Sequence, residues 1–201
     1  MSAQQKIIGI VGSYRKEGMI DSAVSEILNE AENQGAEIKK IYLSDLHIDF
    51  CTNCRTCMQP PGLQRGACVL EDDMETLLAE IEQTEYLVIG APININNLNA
   101  LTRKFIERCI GFAYWPWGKA IPKIRKKQSS KKVVLVSASA APAWIGRYFS
   151  GAMSAFRMLN KLIGAKTIGV LWVGMVNQEH MQLSSKDKSK AQALGRKLLV
   201  K

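Results

Sequence analysis

Short apolar runs alternate along this chain with longer segments in which apolar residues recur every three or four positions. The runs predict buried β-strands, and the longer segments predict amphipathic helices with one apolar face. Five strands are predicted, over residues 6–11, 37–43, 85–90, 133–137 and 167–173. Five helices are predicted between and after them, over about residues 20–34, 71–81, 98–109, 145–163 and 186–199.

This alternation of strand and helix is typical of α/β proteins with a parallel sheet and right-handed crossovers. Five strands match the doubly wound order 2-1-3-4-5, so we predict a flavodoxin-like three-layer sandwich. Two stretches interrupt the pattern, a cysteine-rich loop over residues 44–70 and a basic, aromatic insertion over residues 111–131. With no internal repeat and no linker, the sequence predicts one domain over residues 1–201.

Composition narrows the class of protein. No apolar run approaches the roughly 20 residues of a membrane-spanning helix, so no membrane span is predicted. The start of the sequence lacks the pattern of a secretory signal, and we therefore expect a cytoplasmic location. The net charge of +9 is high. Seven of the basic residues fall in one stretch, namely Lys119, Lys123, Arg125, Lys126, Lys127, Lys131 and Lys132.

This basic stretch has more than one interpretation. It is either a solvated loop or a surface that attracts nucleic acid, anionic lipid or a phosphorylated cofactor. Nothing else in the sequence resembles a nucleic-acid-binding module, so we predict no nucleic-acid partner.

The loop after the first predicted strand has the features of a phosphate site. It reads Gly12-Ser13-Tyr14-Arg15-Lys16-Glu17-Gly18 and leads into a helix. Ser13 offers a hydroxyl and Arg15 a fork of N–H donors, and free backbone N–H groups at a helix start also bind anions. Neither a Walker loop nor a dinucleotide fingerprint is present, so one phosphate of a mononucleotide such as FMN fits best.

Two further loops follow predicted strands at the same edge of the sheet, where ligands bind in such folds. Residues 90–97 are rich in asparagine, with Asn94, Asn96 and Asn97 able to hydrogen-bond a ring or its side chain. Residues 137–142 are small, which lets the backbone come close to a ring edge. In this third loop we select Ser139 and Ala140 as candidate contacts.

With these loops the chain resembles the NAD(P)H-dependent FMN reductases and iron–sulfur flavoproteins of the flavodoxin-like superfamily. Members resemble Gly-Ser-Pro-Arg-Lys-x-Gly-Asn-Thr at the first loop, where this chain has Met19 and Ile20 in place of Asn-Thr. The family's second loop, Gly-Ser-Pro-Val-Tyr-Phe-Gly-Ser-Val-Ser-Ala, aligns without a gap on residues 90–100. Asn94 replaces its tyrosine.

The resemblance implies a single flavodoxin-like FMN-binding domain and a set of cofactor-binding residues. Those residues are Ser13, Arg15, Met19, Ile20, Asp21, Ser22, Pro92, Ile93, Asn94, Ile95, Asn96, Asn97, Ser139 and Ala140. It also implies a nicotinamide donor, NADH or NADPH, and a homodimer or homotetramer. No side chain is needed as a catalytic acid or base, because the flavin performs the chemistry.

Four of the five cysteines form a second candidate site. Cys51, Cys54, Cys57 and Cys68 follow the spacing C-x2-C-x2-C-x10-C. Four thiolates suit an iron–sulfur cluster, such as a [4Fe–4S] cluster, or a zinc ion. The iron–sulfur flavoproteins resemble this chain in having a compact four-cysteine motif at this place, with a shorter final gap. A cluster, a zinc ion and a loop without metal all remain open.

Two functions follow from these sites. The first is an FMN-dependent NAD(P)H oxidoreductase that passes hydride or electrons to a small acceptor such as a quinone or flavin. The second is an iron–sulfur flavoprotein that carries single electrons between protein partners. A third, redox sensing by the cysteine loop, is also compatible with the motif.

Overall fold

A computed structural model describes residues 4–125 and 131–200 of the chain. The central parallel sheet is built from β1 (Lys6–Val11), β2 (Glu37–Tyr42), β3 (Tyr86–Asn94), β7 (Lys132–Ala138) and β8 (Lys166–Val173). Their order is β2-β1-β3-β7-β8, and all four pairings are parallel. The predicted flavodoxin-like order 2-1-3-4-5 is therefore confirmed.

Helices cover both faces of this sheet because the strands are apolar on both sides. On one face lie α1 (Met19–Asn33) and α6 (Ser185–Leu199), packed over Ile7 and Val88. On the other lie α2 (Met74–Gln83), α3 (Ala100–Arg108) and α5 (Ala152–Ile163), packed over Ile8 and Ile89. The result is the predicted three-layer arrangement.

The strand predicted to end at Gly90 continues to Asn94. It stays in the sheet as far as Pro92, which pairs with Ala138, and then turns back as a hairpin onto β4 (Asn97–Leu98). Both turn residues, Ile95 and Asn96, have positive φ angles of 46° and 59°. Since a β-branched residue rarely adopts this conformation, the surrounding structure must impose it.

The helix predicted as continuous over residues 145–163 is in fact two helices. The first, α4, covers Ala143–Phe149, and α5 begins at Ala152. At the break the N–H of Gly151 donates to the carbonyl of Asn96 at 2.8 Å. A Cβ at Gly151 would lie 2.7 Å from the side chain of Asn97, so the glycine allows this close contact.

The insertion over residues 111–131 contains a small hairpin of β5 (Ala113–Tyr114) and β6 (Lys123–Ile124). The described basic residues of the stretch 119–132 differ in their surroundings. Arg125 is buried, and the ammonium of Lys132 donates to the carbonyl of Val200. Lys126 and Lys127 lie outside the described residues. Within the described ranges, no helix has the length and apolar character needed to cross a membrane.

Candidate functional site

The loops after β1, β3 and β7 meet at the carboxyl edge of the sheet and enclose an open cleft of about 210 Å³. The segment after β8 forms the remaining wall. The lining residues are Ser13, Arg15, Gly18, Met19, Ile20, Pro92, Ile93, Ala138, Ser139, Ala140, Val176, Gln178, Glu179 and Met181. This is the edge at which ligands bind in open α/β sheets.

One end of the cleft is formed by the start of α1. Gly18 precedes the helix in an extended conformation, and no side chain caps the free N–H groups of the first turn. These groups carry the positive end of the helix dipole, which attracts anions. Ser13 is buried beside them, and its Oγ accepts a hydrogen bond from the N–H of Arg15 at 3.1 Å.

The first loop is fixed from below by the start of α3. The carbonyl of Gly12 accepts hydrogen bonds from Asn99 Nδ2 at 2.8 Å and from Thr102 Oγ1 at 3.1 Å. The N–H of Gly12 donates to the carbonyl of Gly90 at 2.7 Å. Both Asn99 and Thr102 are buried. The phosphate-type loop and the start of the second loop are therefore held in one fixed geometry.

The third loop is tied to the segment after β8. The carbonyl of Ser139 accepts from the N–H of Val176 at 3.1 Å, and its Oγ accepts from Trp172 Nε1 at 3.1 Å. Across the cleft, the guanidinium of Arg15 donates to the carbonyl of Glu179. The segment after β8 is thus a structural part of the cleft.

The cysteine loop forms a separate site beside the end of α3. Cys51, Cys54, Cys57 and Cys68 line one enclosed cavity of about 20 Å³, and all four are free thiols. Burial, together with the charges of the other three thiols, raises the pKa of Cys57 to about 11. In contrast, hydrogen bonds from Thr56 lower the pKa of the exposed Cys54.

The donor set of this cavity suits a metal centre in number and type. Its volume is close to that of one water molecule, so a cluster requires the exposed side of the loop to open. Among the described residues, no three His, Cys, Asp or Glu side chains lie close enough to bind a single metal ion. The described residues therefore bring four candidate thiol ligands around one cavity without forming a metal site.

The aromatic residues of the insertion pack on this cysteine loop. Arg55 stands between Cys54 and Cys57 in the sequence. Its guanidinium lies 4.2 Å from the ring centre of Trp115 and 4.1 Å from that of Trp117. It also donates to the carbonyl of Trp115 at 2.7 Å. The two tryptophans therefore support the cysteine loop from within the same chain.

The model of the family described as NADPH-dependent FMN reductase matches residues 5–180 of the chain. The chain belongs to this family. Its similarity to curated relatives is more limited in extent. An iron–sulfur flavoprotein of Archaeoglobus fulgidus is 34% identical over 111 residues, which cover 55% of this chain and 48% of that protein. The chain spans about half the length of the curated relatives it matches.

Solved structures share the fold of this FMN reductase family member. An FMN-dependent NADH-azoreductase of Bacillus anthracis, solved in complex with FMN, has a TM-score of 0.69 at 9% identity. The match covers 97% of this chain and 99% of that one. A flavodoxin from the domain Archaea has a TM-score of 0.56 at 11% identity, covering 96% of both chains. At these identities the comparisons show the fold alone.

The cleft brings together residues from all three predicted loops of this FMN reductase family member. Those that line it are Ser13, Arg15, Met19, Ile20, Pro92, Ile93, Ser139 and Ala140. Six other predicted contacts do not line it, namely Asp21, Ser22, Asn94, Ile95, Asn96 and Asn97. Asp21 points into a hydrogen-bond network with Lys40 and Tyr42. The asparagines lie at the hairpin turn, and Ser22 lies in an adjoining cleft with Arg15.

Sequence reasoning missed the wall after β8, which includes Val176, Gln178, Glu179 and Met181. A usable signal was present. In a parallel sheet every carboxyl-terminal loop meets the same edge, and a polar run, Asn177-Gln178-Glu179-His180, follows the last strand.

Proposed function

We propose that this FMN reductase family member binds FMN in the cleft and transfers electrons from NADH or NADPH to a small acceptor such as a quinone or a flavin. The observation that carries the proposal is the meeting of three loops at the uncapped start of α1. A helix start of this kind attracts a phosphate, and the facing loops add apolar lining residues such as Pro92 and Ile93.

The residues of the cleft have distinct proposed roles. Ser13, Arg15 and the N–H groups that begin α1 bind the phosphate. Pro92 and Ile93 on one side and Ala140 on the other flank the ring, where small side chains permit close approach. At about 210 Å³ the cleft is smaller than a whole mononucleotide needs, so part of the ligand extends through the open side. When bound, the flavin supplies the hydride and electron chemistry.

Titration of the purified chain with FMN, followed by quenching of flavin fluorescence, tests the binding step. We expect Arg15→Gln to weaken binding by about tenfold or more, because a charged hydrogen-bond donor to phosphate is lost. Arg196→Gln is a matched control, since Arg196 forms an exposed ion pair with Glu30 on α1. Failure of the wild-type chain to bind FMN would overturn the proposal.

Anaerobic addition of NADH or NADPH to the FMN-loaded chain then tests the enzymatic step. Rapid loss of the oxidised flavin absorbance, recorded after stopped-flow mixing, supports an oxidoreductase. Bleaching by dithionite or a reduced ferredoxin, with none by either nicotinamide, rejects it in favour of an electron carrier. The expected acceptors in turnover are quinones and free flavins.

The cysteine loop favours a second candidate function, an electron carrier with an iron–sulfur cluster held by Cys51, Cys54, Cys57 and Cys68. Two observations support it: the four thiols surround one cavity, and several curated relatives are named iron–sulfur flavoproteins. When bound, a cluster supplies one-electron transfer. Iron and sulfide assays after anaerobic purification test this candidate, and a chain without iron after reconstitution rejects it.

A further inference from the structure

Two arginines far from the cysteine motif in sequence reach the interior of the cysteine loop. Arg108 ends α3, Arg125 follows β6, and only 5% and 4% of their surfaces are exposed. A buried guanidinium is costly unless its charge is compensated and its N–H groups are hydrogen-bonded. The groups that form hydrogen bonds and ion pairs with each arginine therefore indicate why it is buried.

Arg108 is held by a buried carboxylate and directed at a sulfur atom. Its two terminal nitrogens contact both oxygens of Asp72, whose side chain is fully buried. The same guanidinium donates to the carbonyl of Asp49 at 2.9 Å and to Cys68 Sγ at 3.6 Å. Asp72 is fixed in turn by the backbone N–H groups of Asp49 and Met74. This network leaves Arg108 little freedom to turn away from Cys68.

Arg125 has a different set of partners. It donates to three carbonyls, those of Gly111, Gly62 and Cys57, at 3.0 to 3.1 Å. In the described part of the chain no carboxylate forms an ion pair with it. Its bond to the carbonyl of Cys57 places the guanidinium next to a residue that lines the cysteine cavity, and the ring centre of Tyr114 lies 5.7 Å away on another side. Arg125 therefore places an uncompensated positive charge beside the sulfur site.

The backbone around Arg125 is closely packed. A Cβ at Gly66 would lie 1.8 Å from the carbonyl oxygen of Cys57, and one at Gly111 would lie 2.7 Å from that of Gly66. The N–H of Gly66 donates to the carbonyl of Gly111 at 3.0 Å. The insertion and the cysteine loop are thus packed together. Arg125 contacts backbone carbonyls in both, those of Gly111 and Gly62.

We propose that Arg108 and Arg125 are positioning residues of the sulfur site that raise the reduction potential of an iron–sulfur cluster bound there. One-electron reduction adds one negative charge to such a cluster, and no proton transfer is required. A nearby positive charge and an N–H donor to a ligand sulfur stabilise that added charge. The inference rests on the cluster proposed above for the cysteine loop.

The test begins with the full chain after anaerobic reconstitution with iron and sulfide. Dithionite, the electron donor, is added in a mediated titration, and the reduced cluster is followed by electron paramagnetic resonance. We expect a lower midpoint potential than wild type in Arg125→Gln, which removes a positive charge. We expect the same direction in the double variant Asp72→Asn with Arg108→Gln, which removes the N–H donor to Cys68 without changing the net charge. The double variant avoids leaving Asp72 buried without its partner. Arg125→Lys keeps the charge and is expected to lie closer to wild type.

Arg196→Gln serves as the control, because it removes one guanidinium from the opposite face of the sheet. Iron content and circular dichroism are recorded for every variant. In a folded variant that holds less iron, the potential of the remaining cluster decides: a lower value supports the inference, and an unchanged value overturns it. Wild-type iron content with an unchanged potential in both test variants overturns the inference alone. A wild-type chain that takes up no iron overturns the proposed cluster and this inference together.

Discussion

The side chain of Asp21 does not line the cleft, because its hydrogen-bond partners hold it elsewhere. Its carboxylate is buried and accepts hydrogen bonds from the N–H of Glu17 at 2.7 Å, from Lys40 Nζ at 2.9 Å and from the hydroxyl of Tyr42. It joins the first loop to β2 and faces away from the cleft. The negative charge in the first turn of α1 is thereby paired with Lys40.

We predict that Asp21→Asn destabilises the fold in a pH-dependent way. Burial alone would raise the pKa of Asp21, but the hydrogen bonds from Glu17, Lys40 and Tyr42 outweigh it and hold the pKa below its ordinary value. The ionised carboxylate therefore adds stability above the unfolded pKa of roughly 4, and this is lost as the pH falls through the folded pKa. At pH near 7 the expected loss is about 1–3 kcal/mol.

Urea denaturation of wild type and Asp21→Asn at neutral and acid pH measures this effect. The difference in unfolding free energy should shrink as the pH falls below about 4. Asp45→Asn is the control, because its ion pair with Lys16 is exposed and screened by solvent, so its loss should change the unfolding free energy little at either pH. An equal difference at both pH values would contradict the prediction.

Among the elements, α3 packs closely against the first loop of the cleft. A Cβ at Gly12 would lie 2.2 Å from Thr102 Oγ1 and 3.2 Å from the carbonyl oxygen of Gly90. We predict that Gly12→Ala costs about 1–3 kcal/mol through overpacking and weakens FMN binding. Removing the obstructing hydroxyl with Thr102→Ala should recover part of both losses.

A double-mutant cycle measures the coupling of these two positions. Unfolding free energies and FMN dissociation constants are determined for wild type, each single variant and the double variant. Neighbouring residues of this kind show interaction energies of about 0.5–3 kcal/mol. Additive effects within about 0.5 kcal/mol would show that Gly12 and Thr102 act independently, contrary to the prediction.

Strands were predicted more accurately than the features that depend on contacts between distant elements. β1 has the predicted bounds, and β2, β7 and β8 each differ from the predicted bounds by one or two residues, because buried strands are encoded by local apolar runs. The break before α5 was missed because it depends on the carbonyl of Asn96, which the hairpin after β3 brings to Gly151. No local pattern encodes that contact.

The same reasoning applies to the candidate sites. Ser13, Arg15 and Pro92 were predicted at the edge of the sheet where they line the cleft, because each stands at a fixed offset from a predicted strand. Arg108 and Arg125 were not, since an arginine at a helix end or in a basic stretch looks like a solvated charge until tertiary packing buries it. The sequence can thus predict where a loop lies more readily than what surrounds its side chains.

For the whole molecule, α4 presents an unusual surface beside the cleft. Trp144, Tyr148 and Phe149 are 60%, 71% and 69% exposed, and the rings of Trp144 and Phe149 meet edge to face. Gly146 of this helix packs against Ser139, which lines the cleft. Large exposed aromatic patches of this kind mark interaction surfaces, and a homodimer or homotetramer remains our prediction for this chain.

We predict that the paired substitutions Trp144→Ser and Phe149→Ser shift the chain toward monomer. Aromatic side chains that become buried when two chains associate account for a large part of the stability of an interface. Loss of two of them should therefore weaken association by at least about 100-fold. Sedimentation equilibrium over a range of concentrations measures it. Met158→Ser, which removes an exposed apolar side chain from α5, is the matched control and should leave the association constant unchanged. A wild-type chain that is monomeric at high concentration would refute the prediction. Equal association of wild type and the paired variant would place the interface away from α4.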